Sequence, residues 1–299
     1  MIKKEIFFLM ILVFSIGGCV NSENRNYSKP DDSTSNFQTI IHGGVNRKYV
    51  LYVPDSYDGS FSVPVVLNFH GFSGDAYQYM NEADMRILSE SENFILIYPQ
   101  GLYLDGEPHW NACPNGGDNK SEVDDFGFIE TLIEEISSNY NIDLERIYAV
   151  GYSNGGMMAY GLANHKSELI AAVASVSGAM LDCTGPTLHP MPVVHLHGTD
   201  DLDLPYNGNN YYNSVQNTLD YWTNFNNTNK EPIVNFDNSG EIEIEHYVYD
   251  NGNNSVSVEH YKYIGGYHIW FMSTFQGQNT SELVWDFLSR YDINGERSF

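Results

Sequence analysis

Residues 146–165 read RIYAVGYSNGGMMAYGLANH: an apolar, strand-like run ending at Tyr152, a serine among glycines, then a helix-like run from Asn154. The fold turns on what Ser153 does at that junction. It is either a polar residue in a glycine-rich turn or a nucleophile lifted on a strand-to-helix corner. A GxSxG string by itself carries little weight. Here Gly151-Tyr152-Ser153-Asn154-Gly155 follows a strand pattern and opens a helix pattern, the context in which the motif acquires meaning. Glycines permit a corner so tight that larger side chains would strike neighbouring backbone. The serine then projects beyond the sheet edge at a helix N-terminus, whose dipole favours developing negative charge. The nucleophile reading is the stronger.

Further along the chain, "VPVVLNF" (63–69), "FILIYP" (94–99), "AAVASVS" (171–177) and "MPVVHLH" (191–197) are almost continuously apolar. Such runs fit parallel strands covered on both faces, whereas "KYVLYV" (48–53) alternates like an early antiparallel strand. Helices are expected near 76–92, 126–139, 154–166, 211–226 and 280–291. Strand and helix therefore alternate, which predicts an α/β fold: a mostly parallel sheet flanked by helices on both faces. The asparagine-rich stretch 228–260 reads as an insertion of turns or a hairpin. A chain of 299 residues without a low-complexity linker fits one large domain.

Open parallel sheets bind ligands beyond the carboxyl ends of their strands. In "NFHGFSGDA", His70 and Gly71 follow such an end. The backbone amides of Phe72 and Asn154 would there form an oxyanion hole, and His70, beside the strand, is expected to be structural. In "VVHLHGTDDLDLPY", Asp200, Asp201 and Asp203 compete as the carboxylate that orients a histidine. His195 and His197 share a strand face and offer a metal reading with those acids, weakened because no further His or Cys cluster completes a ligand set. In "YIGGYHIWF", His268 follows Gly265-Gly266. The chain order serine, acid, histidine selects it as the base that takes the Ser153 proton and returns it to a leaving alcohol.

The N-terminus differs from the rest. Lys3 and Lys4 precede the apolar run Ile6 to Ile16, followed by Gly17, Gly18 and Cys19, the order of a secretion signal. The run is too short to span a bilayer comfortably. "IGGC" resembles the bacterial lipobox, which implies a signal peptide over 1–18, lipidation of Cys19, a flexible tether over 19–36 and a catalytic domain over 37–299. Export, with a lipid anchor as the sole membrane attachment, is the expectation. Cys113 and Cys183 then remain, expected to pair in preference to staying as two free buried thiols, and closing their 70-residue separation would stabilise the chain by roughly 4 kcal/mol through loop-closure entropy. A formal charge of −25 argues against nucleic-acid partners and fits a neutral substrate or an acidic product that must leave, although solubility alone explains it equally well.

Together these segments resemble the α/β-hydrolase esterase family of short polyhydroxybutyrate depolymerases, feruloyl esterases and acetylxylan esterases. The resemblance runs from about Tyr49 to Phe271 and includes "YPQG", "HWN", "VDDFGFI", "DLERIYAVGYSNGG" and "HGTDDLDLPY". It implies a cofactor-free serine esterase with Ser153, Asp201 and His268 as triad, the Phe72 and Asn154 amides as oxyanion hole, and Trp110 and Trp270 as substrate-pocket walls. The implied substrates are feruloyl or acetyl esters of plant polysaccharide, or polyhydroxybutyrate-type oligoesters. One departure bears on substrate: where the family often reads GGGHTWPG this chain has "GGYHIWF", so Tyr267 is expected to crowd the cleft. The rival from another class is a catalytically silent surface lipoprotein that binds glycans. Oligomeric state is left open by the sequence.

Overall fold

A computed structural model describes residues 37–114 and 121–298. The expected signal peptide, Cys19 and the tether lie outside the described residues. The elements run β1 (Gln38–His42), β2 (Val45–Tyr52), β3 (Val63–Phe69), α1 (Ala76–Glu82), α2 (Arg86–Glu92), β4 (Ile95–Pro99), β5 (Leu102–Leu104), β6 (Glu107–His109), α3 (Asp125–Asn139) and β7 (Ile142–Tyr152). They continue with α4 (Asn154–His165), β8 (Ala172–Val176), β9 (Val193–Gly198), α5 (Val215–Asn226), β10 (Ile233–Asp237), β11 (Ile244–Tyr249), β12 (Val258–Tyr263), α6 (Thr280–Leu288), β13 (Tyr291–Asp292) and β14 (Gly295–Glu296).

Among the described residues, ten strands form one sheet in the order β1-β2-β4-β3-β7-β8-β9-β12-β11-β10. The six central strands, β4 to β12 in that order, pair in parallel, and antiparallel pairs close each end. The continuous apolar runs are the central strands, and β3 is buried at every position. Alternate residues of those runs feed two cores. Val65, Leu67 and Phe69 of β3, with Ile147 and Ala149 of β7, meet Phe128, Leu132, Met158, Leu162 and Trp222 from α3, α4 and α5. On the opposite face Val66, Tyr148 and Val150 meet Tyr79 and Met80 of α1 and Leu283 and Phe287 of α6. Each such fully buried aliphatic or aromatic side chain contributes about 1.5–3 kcal/mol, so the two layers jointly fix the sheet between its helices.

Two expectations change in detail. The helix expected near 76–92 is two helices, because Asp84 turns its carboxylate onto the Arg86 amide (2.9 Å) and breaks the run at Ala83–Met85. The stretch 228–260 holds a hairpin, one of its two expected forms, but does not stand apart as an insertion. Its hairpin of β10 and β11 continues the main sheet, and β12, which begins within it, pairs in parallel with β9. The helix starts follow local chemistry: Asp75, Asp124 and Ser214 accept amides in the first turns of α1, α3 and α5, and Asn279 with Glu282 forms a capping box on α6. Cys113 and Cys183 form a disulfide with Cα atoms 5.8 Å apart, tying the segment after β6 to the segment after β8.

The sheet reverses its direction of growth between β3 and β7. From β3 the chain moves outward to β4, and from β7 it moves the other way to β8, β9 and β12. The crevice at the carboxyl ends of adjacent strands β3 and β7 is the place where such sheets hold ligands.

Candidate active site

Ser153 sits between β7 and α4 with φ +54° and ψ −119°. An L-residue held there costs of order 1–3 kcal/mol, a strain met at functional corners. The glycines explain how the corner closes. A Cβ on Gly151 would lie 2.2 Å from the Gly155 carbonyl carbon and oxygen, one on Gly155 2.0 Å from the Phe69 carbonyl oxygen, and one on Gly156 2.5 Å from Ser175 Oγ. Backbone at Gly151 and Gly155, and the Ser175 hydroxyl at Gly156, therefore occupy the space of the missing side chains, and α4 can start directly against β3 and β7. The Ser153 amide donates to Val176 O (2.9 Å), pinning the corner to β8.

Three loop ends converge on that serine. His268 Nε2 lies 2.8 Å from Ser153 Oγ, and His268 Nδ1 lies 2.7 Å from Asp201 Oδ2. The adjacency follows from strand order: Ser153, Asp201 and His268 follow β7, β9 and β12, and β9 pairs in parallel with β12, Gly198 opposite Tyr263. The acid and histidine segments are also joined directly, since Asp200 N donates to Gly266 O (2.9 Å) and Gly265 N donates to Thr199 Oγ1 (2.7 Å).

Of the three aspartates that compete in sequence, Asp201 is the one in hydrogen-bond contact with His268. Its side chain is fully buried while Asp200 and Asp203 are exposed. Its Oδ1 accepts the amides of Asp203 (2.9 Å) and Leu204 (2.8 Å). His197 Nε2 approaches its Oδ2 at 3.2 Å and lies 2.8 Å from Leu204 O. Burial would raise this carboxyl, but the donors His197, His268 and the Leu204 amide outweigh it and hold the group well below the usual carboxylate range. Asp201 is thus ionised wherever an esterase would be assayed.

The loop after β3 lies against Ser153: a Cβ on Gly71 would stand 3.3 Å from Ser153 Cβ. His70 is buried and accepts the Gly101 amide on Nε2 (3.0 Å) while its Nδ1 faces Gly71 O (2.6 Å). Burial pulls its pKa down to about 4, so it stays neutral and structural, in line with its position beside the strand. Trp110 is placed differently from the pocket wall that the family resemblance implies. It is 3% exposed, packs edge-on against Phe69, and donates its indole N–H to His70 O (3.0 Å). Its amide donates to Asn154 Oδ1 (2.7 Å), and Asn154 Nδ2 donates to its carbonyl (3.1 Å). Trp110 supports both backbone segments expected to form the oxyanion hole and presents almost no surface to a cleft. Trp270 is half-buried, with its ring edge on Tyr79, leaving only part of it at the surface.

His195 and His197 do not present free nitrogens to a shared metal. His195 Nδ1 meets Tyr160 Oη (2.7 Å), its Nε2 meets His197 Nδ1 (3.0 Å), and burial lowers the His195 pKa well below the ordinary value. Among the described residues, Asp201, Asp203 and His268 have ligand atoms within 4.8 Å of one another, but a cation there would compete with the Asp201 to His268 hydrogen bond. Two contributors escaped the sequence: His197 as a second partner of Asp201, and Trp110 as a clamp. The four-residue spacing from His197 to Asp201 at a strand end was the available signal for the first; nothing local announced the second.

Comparison with known proteins finds esterases among the proteins this chain is similar to. A profile described as Esterase PHB depolymerase matches residues 47–202, which include Ser153 and Asp201 but stop before His268. A bifunctional acetylxylan esterase/xylanase of Neocallimastix patriciarum is 29% identical over 163 residues, covering 54% of this chain and 22% of that protein. A probable feruloyl esterase C of Aspergillus niger is 27% identical over 214 residues, covering 69% of this chain and 72% of that protein. The chain thus spans well under two thirds of the first relative's length. The acetyl xylan esterase of Aspergillus awamori superposes with a TM-score of 0.62 at 16% identity, covering 85% of this chain and 99% of that one, which shows a shared α/β-hydrolase fold. With its profile matching more than half of the residues, the chain belongs to the Esterase PHB depolymerase family.

Proposed function

We propose that the protein hydrolyses carboxylic esters through an acyl-enzyme formed on Ser153. The observation that carries this reading is the unbroken contact from Asp201 through His268 to Ser153, 2.7 Å and then 2.8 Å. His268 Nε2 accepts the Ser153 proton as Oγ adds to the ester carbonyl, and the buried Asp201 carboxylate stabilises the imidazolium and fixes its tautomer. The tetrahedral oxyanion receives hydrogen bonds from the amides of Phe72 and Asn154, a contribution of about 3 kcal/mol per donor. His268 then protonates the leaving alkoxide, and a water molecule repeats the sequence to release the acid.

For the substrate, the reading is a feruloyl ester of plant polysaccharide or a hydroxyalkanoate oligoester in preference to a simple acetyl ester. Phe72, Leu202, Tyr267 and Ile269, all on the loops that carry the proposed machinery, are 46%, 86%, 64% and 46% exposed. An apolar acyl or oligoester body would cover them, whereas an acetyl group is too small. Export fits the disulfide between Cys113 and Cys183, with Cys19 proposed as the lipid anchor.

Turnover of p-nitrophenyl acetate by the purified chain, abolished in Ser153→Ala, is the expected result; equal activity in the variant removes Ser153 from the mechanism, and no turnover by the wild-type chain favours the catalytically silent glycan-binding alternative. A panel of methyl ferulate, acetylated xylan and hydroxybutyrate oligomers then ranks the acyl groups. Acetylated xylan ranking first would overturn the substrate reading.

A further inference from the structure

We propose that Tyr152 and Ser177 are positioning residues whose hydroxyls hold the main chain of the His268 segment so that its imidazole meets Ser153 and Asp201. The proposal rests on the esterase reading and deepens it.

The need for such anchors is visible in the segment itself. Residues 264–271 form neither helix nor strand. Gly265 stands at φ +75° with open space where a Cβ would lie, and its own hold is the amide bond to Thr199 Oγ1 (2.7 Å). Tyr267 and Ile269, on either side of the histidine, are largely exposed. Firm attachment occurs at the ends. Gly266 O accepts the Asp200 amide, while Phe271, 1% exposed, stacks on Tyr263 at 3.8 Å and its carbonyl accepts Thr280 Oγ1 (2.7 Å).

Between those ends two consecutive carbonyls are held from the sheet. Tyr152 Oη donates to His268 O (2.8 Å), and Ser177 Oγ donates to Ile269 O (3.1 Å). Both donors lie at carboxyl ends of neighbouring strands, β7 and β8, the first of which also carries Ser153. Tyr152 is the last residue of β7, immediately before Ser153. Ser177 follows β8 at φ +47° and is held by its own amide on Leu196 O (2.8 Å). Rotation of the His268 peptide would break one or both bonds and swing the imidazole away from its two partners.

Tyr152 suits this task in a second way. Burial, reinforced by the Asp201 and Asp203 carboxylates, pushes its phenol above the ordinary value, so it remains a donor throughout any assay range. Its ring lies 5.1 Å from the His268 ring, and its Cδ1 stands 3.0 Å from where a Gly71 Cβ would be. Phenylalanine at 152 keeps that packing and removes the donor alone.

The test measures Tyr152→Phe and Ser177→Ala by steady-state kinetics, thermal denaturation and the downfield proton resonance of His268 Nδ1. Loss of one half-buried hydrogen bond at the histidine peptide is expected to lower kcat about tenfold in Tyr152→Phe, with KM within about twofold and Tm little changed. A smaller fall is expected in Ser177→Ala, and the Nδ1 resonance should shift or broaden in both. Should Tyr152→Phe fail to fold, Ser177→Ala alone decides by the same signature. Wild-type kcat and an unmoved resonance in the folded variants overturn the positioning role, as does a raised KM with kcat retained, which would mark a substrate contact. Turnover that survives Ser153→Ala at the wild-type level removes the Ser153 acyl-enzyme reading whatever Tyr152→Phe and Ser177→Ala do, so the two failures are distinct.

Discussion

Replacing Asp201 by asparagine removes one charge from the buried site with almost no change in shape, and the structure dictates which way the new amide must face. Oδ1 of Asp201 accepts two backbone amides, from Asp203 and Leu204, at 2.9 and 2.8 Å. An asparagine turned the other way would point N–H groups at N–H groups, so its carbonyl must occupy that position. The NH2 group then takes the Oδ2 position, 2.7 Å from His268 Nδ1 and 3.2 Å from His197 Nε2. Facing a donor, His268 must carry its proton on Nε2, where it can no longer accept from Ser153 Oγ. In serine proteases the equivalent change lowers kcat about 10⁴-fold, or roughly 5.5 kcal/mol, and the same order is expected here. Steady-state and burst kinetics on p-nitrophenyl acetate report the loss, with circular dichroism confirming the fold. A folded Asp201→Asn enzyme within tenfold of wild-type kcat refutes the tautomer argument and the assignment of Asp201 with it.

Other perturbations follow from the same coordinates. Gly155→Ala would force a methyl group to 2.0 Å from Phe69 O, so a loss of about 3 kcal/mol and a clearly lower urea midpoint are expected; unchanged stability would mean that α4 can move off β3. Burial holds His70 at about 4 and His260 at about 3, below the 6.5 of exposed imidazole, so the unfolded chain binds protons first as pH falls. Stability is therefore fully present above pH 6.5 and declines from there towards pH 4, by about 3 kcal/mol from His70 alone. Urea midpoints measured from pH 8 to pH 4.5 should show that slope, and a flat series would contradict it. Reducing the bridge between Cys113 and Cys183, 70 residues apart, should cost about 4 kcal/mol, read as a lower denaturation midpoint with reductant; no shift would show that the bridge closes no entropic loop of that size.

Much of this was legible in one dimension because it is local. The central strands announced themselves as uninterrupted apolar runs, since a strand covered on both faces has no position to spare for polar groups, and β3 is the clearest case. The corner at Ser153 was visible because only glycine tolerates backbone at 2.0–2.2 Å from its would-be Cβ. The break at Ala83–Met85 was less visible, because Asp84 ends a helix by a side-chain contact that its sequence neighbours do not reveal. Stretch 228–260 was half legible: its hairpin showed as short alternating pieces, but half-exposed strands look like an insertion, and their continuation of the main sheet did not show.

The sequence by itself determined the alternation of strand and helix, the glycine-bound serine and the order in which serine, acid and histidine appear, since propensity and chain order are properties of neighbours along the backbone. Tertiary structure decided which of three aspartates faces His268, that Trp110 braces a loop from beneath, and that Tyr152 and Ser177 grip the histidine segment. Those outcomes depend on β7, β8, β9 and β12 lying side by side, a juxtaposition of residues up to 116 positions apart that burial of the two apolar faces alone brings about.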